Sequence, residues 1–337
     1  MVIGATGQIG RPAVDALVRD GWEVTAASRG GGRDGAWPDD VRTVRLDRED
    51  GAALAAVVGE RCDLVVDVVA YGAQHARQLT ALAGRVGAAV VVSSVSVYVD
   101  DRGRGFDTQS EPDGFPEYPL PLPETRPTVA PGEASYSTRK VALERELLAM
   151  GDRLPTTVLR PSAVHGPHSP LPRELYFVQR NLDGRGVRVL AHRGESRFHT
   201  SSARNIAELI RLAAARPASR VLNACDPQAP TAAEIGAAVD EVMGARTETI
   251  LVDGPPPAPA VGGSPWSVPS PLVCDMAAAE RVLGYRPAVS YARSLPETVE
   301  WLCGEATQDW RARFPLLARA YPDLFDYAAE DAWLRSR

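Results

Sequence analysis

Two residues four apart, Tyr136 and Lys140, stand in a Ser-Tyr-Ser-Thr-Arg-Lys run and make a YxxxK pair. On a helix, positions four apart share one face, so both side chains would point the same way. An ammonium held near a phenol favours the phenolate and is expected to draw the phenol below its ordinary pKa. A phenol tuned in that way can give or take a proton near neutral pH. Upstream, Val91-Val92-Ser93-Ser94-Val95-Ser96-Val97-Tyr98 ends an apolar run. If that run is a strand of a parallel sheet, Ser94 and Ser96 leave its carboxyl end, where such sheets bind ligands. A serine hydroxyl there can hold a substrate oxygen beside the tyrosine. Ser94 and Ser96 are the serines so placed.

The second chemical signature lies at the start of the chain, Gly4-Ala5-Thr6-Gly7-Gln8-Ile9-Gly10. A glycine triplet between a strand and a helix is the context of dinucleotide binding. Gly4 would permit the tight turn, Gly7 a close approach to pyrophosphate, and Gly10 close packing of helix on sheet. The first helical N–H groups would then face the phosphates. Thr6, Gln8 and Ile9 complete the expected cofactor loop. Only three residues precede Gly4, which is short for a central strand of about five and points to a natural start a few residues upstream.

The end of the second strand would decide between nicotinamide cofactors. A carboxylate there grips the ribose 2′-hydroxyl of NAD. Here the strand ends Ala27-Ser28-Arg29. Arg29, helped by Arg33, could pair with a 2′-phosphate and Ser28 could donate to it, so NADP is expected over NAD. Asp47, after the third strand, is placed for the adenine edge.

These groups need a scaffold that brings them to one edge. The first half supplies it: strands at residues 1–3, 23–27, 41–46, 63–70 and 88–93 alternate with helices at 9–20, 50–58 and 73–85. Alternation of this kind specifies a Rossmann-type, doubly wound α/β fold, a parallel sheet with helices on both faces. The nearly all-apolar runs near residues 63–70 and 88–93 suit strands covered on both sides. Residues 100–134 break the pattern, with seven prolines between Pro112 and Pro131. An insertion of that length is expected to be functional or a lid. A helix from 135 and a strand at 156–160 complete a dinucleotide-binding domain over residues 1–160. Residues 161–337 read as a smaller mixed α/β substrate lobe with a helical, aromatic tail, and part of 190–225 could complete the first sheet.

Composition narrows the class. The chain has 337 residues, 45% hydrophobic and 24% charged, and a net charge of −6, ordinary for a globular protein and unlike a nucleic-acid binder. Four cysteines lie far apart without metal spacing, so neither a metal site nor a disulfide framework is expected. No run of about 20 apolar residues and no signal peptide is evident, which suggests a cytoplasmic protein.

Taken together, GATGxxG, SSxSVY, YxxxK, Leu159-Arg160-Pro161 and His165-Gly166-Pro167 resemble the short-chain dehydrogenase/reductase superfamily, and within it the extended epimerase/dehydratase branch. Asn223-Ala224-Cys225-Asp226 and Leu283-Gly284-Tyr285-Arg286-Pro287 fit the same pattern over roughly residues 1–302. The resemblance implies Tyr136 as acid/base, Lys140 holding the nicotinamide ribose, and Ser94 orienting substrate. Three features depart from it. Val95-Ser96 replaces the Asp-Glu pair of dehydratases, the asparagine of the usual Asn-Val-Tyr-Gly-Pro run is absent, and Asn205 stands for an aspartate. His165 is kept as a substrate contact or a packing residue, and His168 and His199 as packing residues. The leading expectation is an NADP-preferring carbonyl reductase or alcohol dehydrogenase for a small metabolite. The alternatives are a nucleotide-sugar epimerase and a non-catalytic nucleotide sensor. Homodimers are common in such folds.

Overall fold

The structure, a computed structural model, describes residues 1–258, 260–305 and 309–337. The strands are β1 (Val2–Ile3), β2 (Thr25–Ser28), β3 (Arg42–Arg45), β4 (Cys62–Asp67), β5 (Val86–Val92) and β6 (Thr156–Pro161). Three short ones follow, β7 (Ala163–His165), β8 (Val187–Leu190) and β9 (Thr200–Ser202), then β10 (Arg220–Ala224) and β11 (Glu248–Leu251). Helices are α1 (Gly10–Arg19), α2 (Gly51–Val58), α3 (Ala73–Thr80), α4 (Tyr136–Leu148), α5 (Leu175–Leu182) and α6 (Ala203–Ala215). Later come α7 (Ala232–Met243), α8 (Ala277–Leu283), α9 (Tyr291–Glu305), α10 (Trp310–Arg313), α11 (Pro315–Ala320) and α12 (Tyr327–Arg335). Among the described residues, no helix is long and apolar enough to cross a membrane.

Residues Met1–Ser162, Ala203–Cys225 and Cys274–Ala288 form one compact unit. Its parallel sheet runs β10-β6-β5-β4-β1-β2-β3. This is the Rossmann-type α/β arrangement. The order reverses at β1, which pairs with β4 on one side and β2 on the other. Ligands in open α/β sheets bind at the carboxyl edge beside such a reversal, and the glycine loop leaves β1 there. Leu54 and Val58 of α2, Ala76 and Leu79 of α3, and Leu143 and Leu147 of α4 close one apolar core with Ile3, Ala27, Val65, Ala89 and Val91. Helices α1 and α6 pack on each other, and α6 lies on β5, β6 and β10. Two segments beyond residue 161 thus belong to this unit, and β10 extends the sheet beside β6.

Residues Ala163–Ser202, Asp226–Val273 and Val289–Arg337 form the second unit. It holds two parallel strand pairs, β7 with β9 and β8 with β11. Helices α5, α7 and α9 supply Phe177, Val178, Ile235, Val239, Leu295 and Leu302 to its core. The aromatic tail joins that core through Phe314, Leu317 and Leu324, with Trp301, Trp310 and Phe325 packed against it. Helix α12 is held by charge as well: Glu330 pairs with Arg180 and Arg185, and Asp331 with Arg185.

Candidate active site

Helix α4 presents the reacting pair. Ser135 caps it, accepting from the Thr138 N–H at 3.1 Å. This cap sets the first turn, so Tyr136 stands at the helix start and Lys140 one turn further. Tyr136 is 43% exposed, while Lys140 is only 5% exposed. The Lys140 ammonium donates to the carbonyls of Ala70, after β4, at 2.6 Å and of Val92, at the end of β5, at 2.9 Å. An ammonium has three donors, and two are used in this way. Its pKa is lowered to about 8 by burial, against the pull of Asp67 and Glu144.

Lys140 Nζ lies 5.6 Å from the centre of the Tyr136 ring. Burial is the largest influence on the phenol and raises its pKa, the neighbouring Ser94 hydroxyl draws it down, and Tyr71 adds to the rise. The phenol is held above its usual value, which corrects the expectation that Lys140 lowers it. The ammonium is committed to two backbone carbonyls instead of the phenol oxygen. In this form Tyr136 is a proton donor.

Ser94 lies two residues beyond β5, and its Oγ accepts from the Ser96 N–H at 3.1 Å. That bond fixes the turn and keeps Ser94 facing the tyrosine. Ser96 is 7% exposed and its hydroxyl has no hydrogen-bond partner among the described residues. Beneath these groups, Glu144 binds Arg160 at 2.5 Å and accepts from Ser93 at 2.5 Å. That buried network joins α4 to β5 and β6 and fixes the rotation of the helix.

The proline-rich insertion meets the site through a residue that no motif announces. Asp107 accepts from Ser135 Oγ at 2.6 Å and from Ser137 Oγ at 2.9 Å, so one carboxylate braces both neighbours of Tyr136. Tyr71, whose ring centre is 5.6 Å from that of Tyr136, was equally silent in the sequence.

The glycine loop has the geometry that a diphosphate requires. Gly4 has φ +82°, and a Cβ there would lie 2.6 Å from Val69 Cγ1. A Cβ at Gly10 would stand 2.1 Å from the Gly4 carbonyl oxygen. The Gly7 N–H closes a turn onto that carbonyl at 3.0 Å. Helix α1 carries no side-chain cap at Ile9; the Arg11 N–H meets the Gly7 carbonyl at 3.0 Å and Pro12 has no N–H, so the Gly10 amide is the one in the first turn left to face an anion. Thr6 is held by Arg11, which donates to its carbonyl at 2.9 Å, and Gln8 follows in the same turn. At the end of β2, Ser28 is buried and its hydroxyl lacks a partner among the described residues, while Arg29 is exposed. Arg33 is not available beside it: its guanidinium is taken by the carbonyls of Val41 and Trp37. Asp47 is exposed and accepts from the Glu49 N–H at 3.1 Å, as a turn-former does.

The profile of the NAD dependent epimerase/dehydratase family matches residues 1–225. The chain belongs to that family. It is an enzyme of the extended short-chain dehydrogenase/reductase type, with the Rossmann-type fold and nicotinamide dependence of the group. No curated protein matches it significantly. Solved structures share its fold at low identity. A UDP-N-acetylglucosamine 4-epimerase from Methanobrevibacter ruminantium M1, in complex with UDP-N-acetylmuramic acid, is 19% identical at a TM-score of 0.68, covering 90% of this chain and 97% of that one. A UDP-glucose 4-epimerase from Thermotoga maritima, with UDP-glucose, is 20% identical at 0.67, covering 90% and 98%. MoeE5, in complex with UDP-glucose and NAD, is 22% identical at 0.63, covering 90% and 98%.

His165 departs from the expected substrate contact. It is 1% exposed, inside the second unit. Its Nε2 sits 2.7 Å from Asp226 Oδ2 and its ring packs 4.9 Å from Tyr291. Desolvation opposes its charge, but Asp226 outweighs it and the histidine pKa is raised. Buried so, it has no face to offer a substrate, and it is a packing residue of an internal ion pair.

Proposed function

We propose that this family member exchanges a hydride and a proton at an oxygen-bearing carbon of a nucleotide-linked sugar, with epimerisation as the net result. The observation that carries the reading is the grouping of Ser94, Tyr136 and Lys140 at the carboxyl edge of the sheet that bears the glycine loop. The Tyr136 phenol holds and passes the proton at the substrate oxygen. Ser94 orients that oxygen, and the free Ser96 hydroxyl is a further donor to substrate. Lys140, anchored on Ala70 and Val92, keeps its third N–H for a ribose hydroxyl. Asp107 holds the segment carrying Tyr136 in register. Gly4, Thr6, Gly7, Gln8, Ile9 and Gly10 would cradle a pyrophosphate, with Asp47 at the adenine end. The dinucleotide supplies the hydride acceptor when bound.

Family membership and the similarity to sugar-nucleotide epimerases support epimerisation over the net reduction favoured by the sequence. Two observations favour reduction as a second reading: β2 ends in Ser28-Arg29 with no carboxylate, as suits a 2′-phosphate and hence NADP, and the Tyr136 phenol is held protonated. None of the four cysteines is in a disulfide, in keeping with a reducing, cytoplasmic setting.

Incubation with UDP-galactose, UDP-N-acetylglucosamine and UDP-glucuronic acid, with NAD or NADP and no added reductant, tests the choice. Nuclear magnetic resonance should show an epimer accumulating to equilibrium without net change in nicotinamide absorbance. Stoichiometric oxidation of NADPH by a carbonyl substrate, with no epimer formed, would establish the second reading instead.

A further inference from the structure

The sequence contains a single lysine, Lys140. Its ammonium is drawn out of water, so the groups that hold it decide whether it stays charged. One acceptor is the Ala70 carbonyl, 2.6 Å away. The same peptide group points its N–H the other way, as a trans peptide must, and the Tyr71 N–H donates to His75 Nδ1 at 2.8 Å. That bond makes Nδ1 the acceptor, which places the ring proton on Nε2. Nε2 then donates to the Glu49 carboxylate at 3.0 Å. His75 is 5% exposed, while the Glu49 carboxylate reaches solvent. The backbone of the histidine is fixed as well: Arg48 donates to the His75 carbonyl at 2.9 Å and to Asp67 at 2.6 Å.

Carboxylate, imidazole, peptide and ammonium thus follow one another in a chain whose donors all point the same way. Hydrogen bonds in series polarise one another, so the charge of Glu49 makes the Ala70 carbonyl a better acceptor for the ammonium. Tyr71 also carries the ring that packs on Tyr136, with centres 5.6 Å apart, and the Arg139 guanidinium carbon lies 5.5 Å from the centre of the Tyr71 ring. A turn of this one peptide would shift the acceptor of the lysine and the neighbour of the phenol together. The other charged and titratable groups around Lys140 are Asp67 at the end of β4 and Glu144 and Tyr136 on α4. Asp67 is paired with Arg48, and Glu144 with Arg160.

We propose that His75, backed by Glu49, is a positioning residue for Lys140 and Tyr136, holding the Ala70–Tyr71 peptide so that its carbonyl faces the ammonium and the Tyr71 ring stays against the phenol. The proposal rests on the roles given to Lys140 and Tyr136 above, but its test needs neither substrate nor dinucleotide. Because the chain has one lysine, the full-length protein grown on ¹³C-labelled lysine gives one lysine ε-carbon resonance, and its shift against pH reads Lys140 directly. The native midpoint is expected near 8. In His75→Leu the carbonyl is no longer held toward the ammonium, and the midpoint should fall by about half a unit or more. His75→Asn offers an amide oxygen where Nδ1 stood, and should return the midpoint toward the native value. A histidine that only fills space would cost stability without this fall and recovery. Glu49→Ala, at the exposed end of the chain, should lower the midpoint by less, and serves alone if the leucine variant does not fold; it is measured in high salt, which screens the exposed charge itself. An unchanged midpoint in whichever of the two folds overturns the proposal, and so does an asparagine variant displaced as far as the leucine one. Full turnover in Tyr136→Phe beside midpoints that move as described would remove the catalytic reading and leave the positioning of Lys140 standing.

Discussion

The two units each bury titratable groups, and they complete them to different degrees. In the second, His165 Nε2 and Asp226 are sealed together, the carboxylate also accepting from the Ser202 N–H at 2.7 Å, and the buried His165 Nδ1 has no partner among the described residues but no exposed reactive group beside it. In the first, Lys140 is as deeply buried but is met only by neutral carbonyls, and Tyr136 keeps an open face. A closed pair of opposite charges holds a fold together. An ammonium with a spare donor beside an exposed phenol is a reactive arrangement whose remaining valences await a ligand. Burial and charge alone therefore do not mark a functional site; incomplete satisfaction beside an exposed reactive group does.

The sharpest way to break this contrast is Tyr136→Phe. The change deletes one hydroxyl and should lower kcat by about 10²–10⁴-fold, the usual worth of a positioned acid/base, while the dinucleotide binds as before. Turnover assays with parallel titrations check it.

Next is Asp226→Asn, which strands His165 in the interior and should cost about 3–5 kcal/mol of stability, read by denaturant unfolding. The sign with pH follows from the shifts. Asp226 is brought to about 2 by His165 and its hydrogen bonds despite desolvation, the largest influence. Its contribution is present above the ordinary value of 3.8 and is lost as pH falls through about 2. The histidine, raised from 6.5, contributes below that value and loses its contribution as pH climbs through the raised one. The variant should flatten the acid limb.

Lys140 should behave in the opposite sense. With a folded pKa of about 8 against 10.5, the unfolded chain binds more protons between those values, so stability rises with pH across that window. The rise should reach at most ~3 kcal/mol and vanish in Lys140→Met, measured by unfolding at pH 7, 8 and 10. A smaller effect is expected at the cofactor end. Arg29→Ala should weaken NADPH by about 10–100-fold, as for one charged hydrogen-bonding partner, and leave NADH nearly unchanged.

Local patterns made the frame of the first unit readable. The alternating pattern placed β2 to β6 within a few residues, most plainly β4 and β5, because a strand covered on both faces must be apolar along its length. YxxxK was readable because helical spacing is itself the geometry. The pKa of Tyr136 was not, since it depends on where Lys140 Nζ goes, and its acceptors at Ala70 and Val92 lie 70 and 48 positions away. Asp107 was hidden for a similar reason: an irregular loop, without periodicity, delivers it to Ser135 and Ser137. His165 looked like a ligand contact because it follows β6, and only its pairing with Asp226, 61 positions on, reveals its interior role.

The central claim is that Tyr136 passes the proton beside a bound nicotinamide, and the most direct measurement compares native protein with Tyr136→Phe for dinucleotide affinity and for turnover of the UDP-sugars. Equal affinity with turnover only in the native protein is the predicted result. Undiminished turnover in the variant, or no dinucleotide binding by either protein, would contradict it.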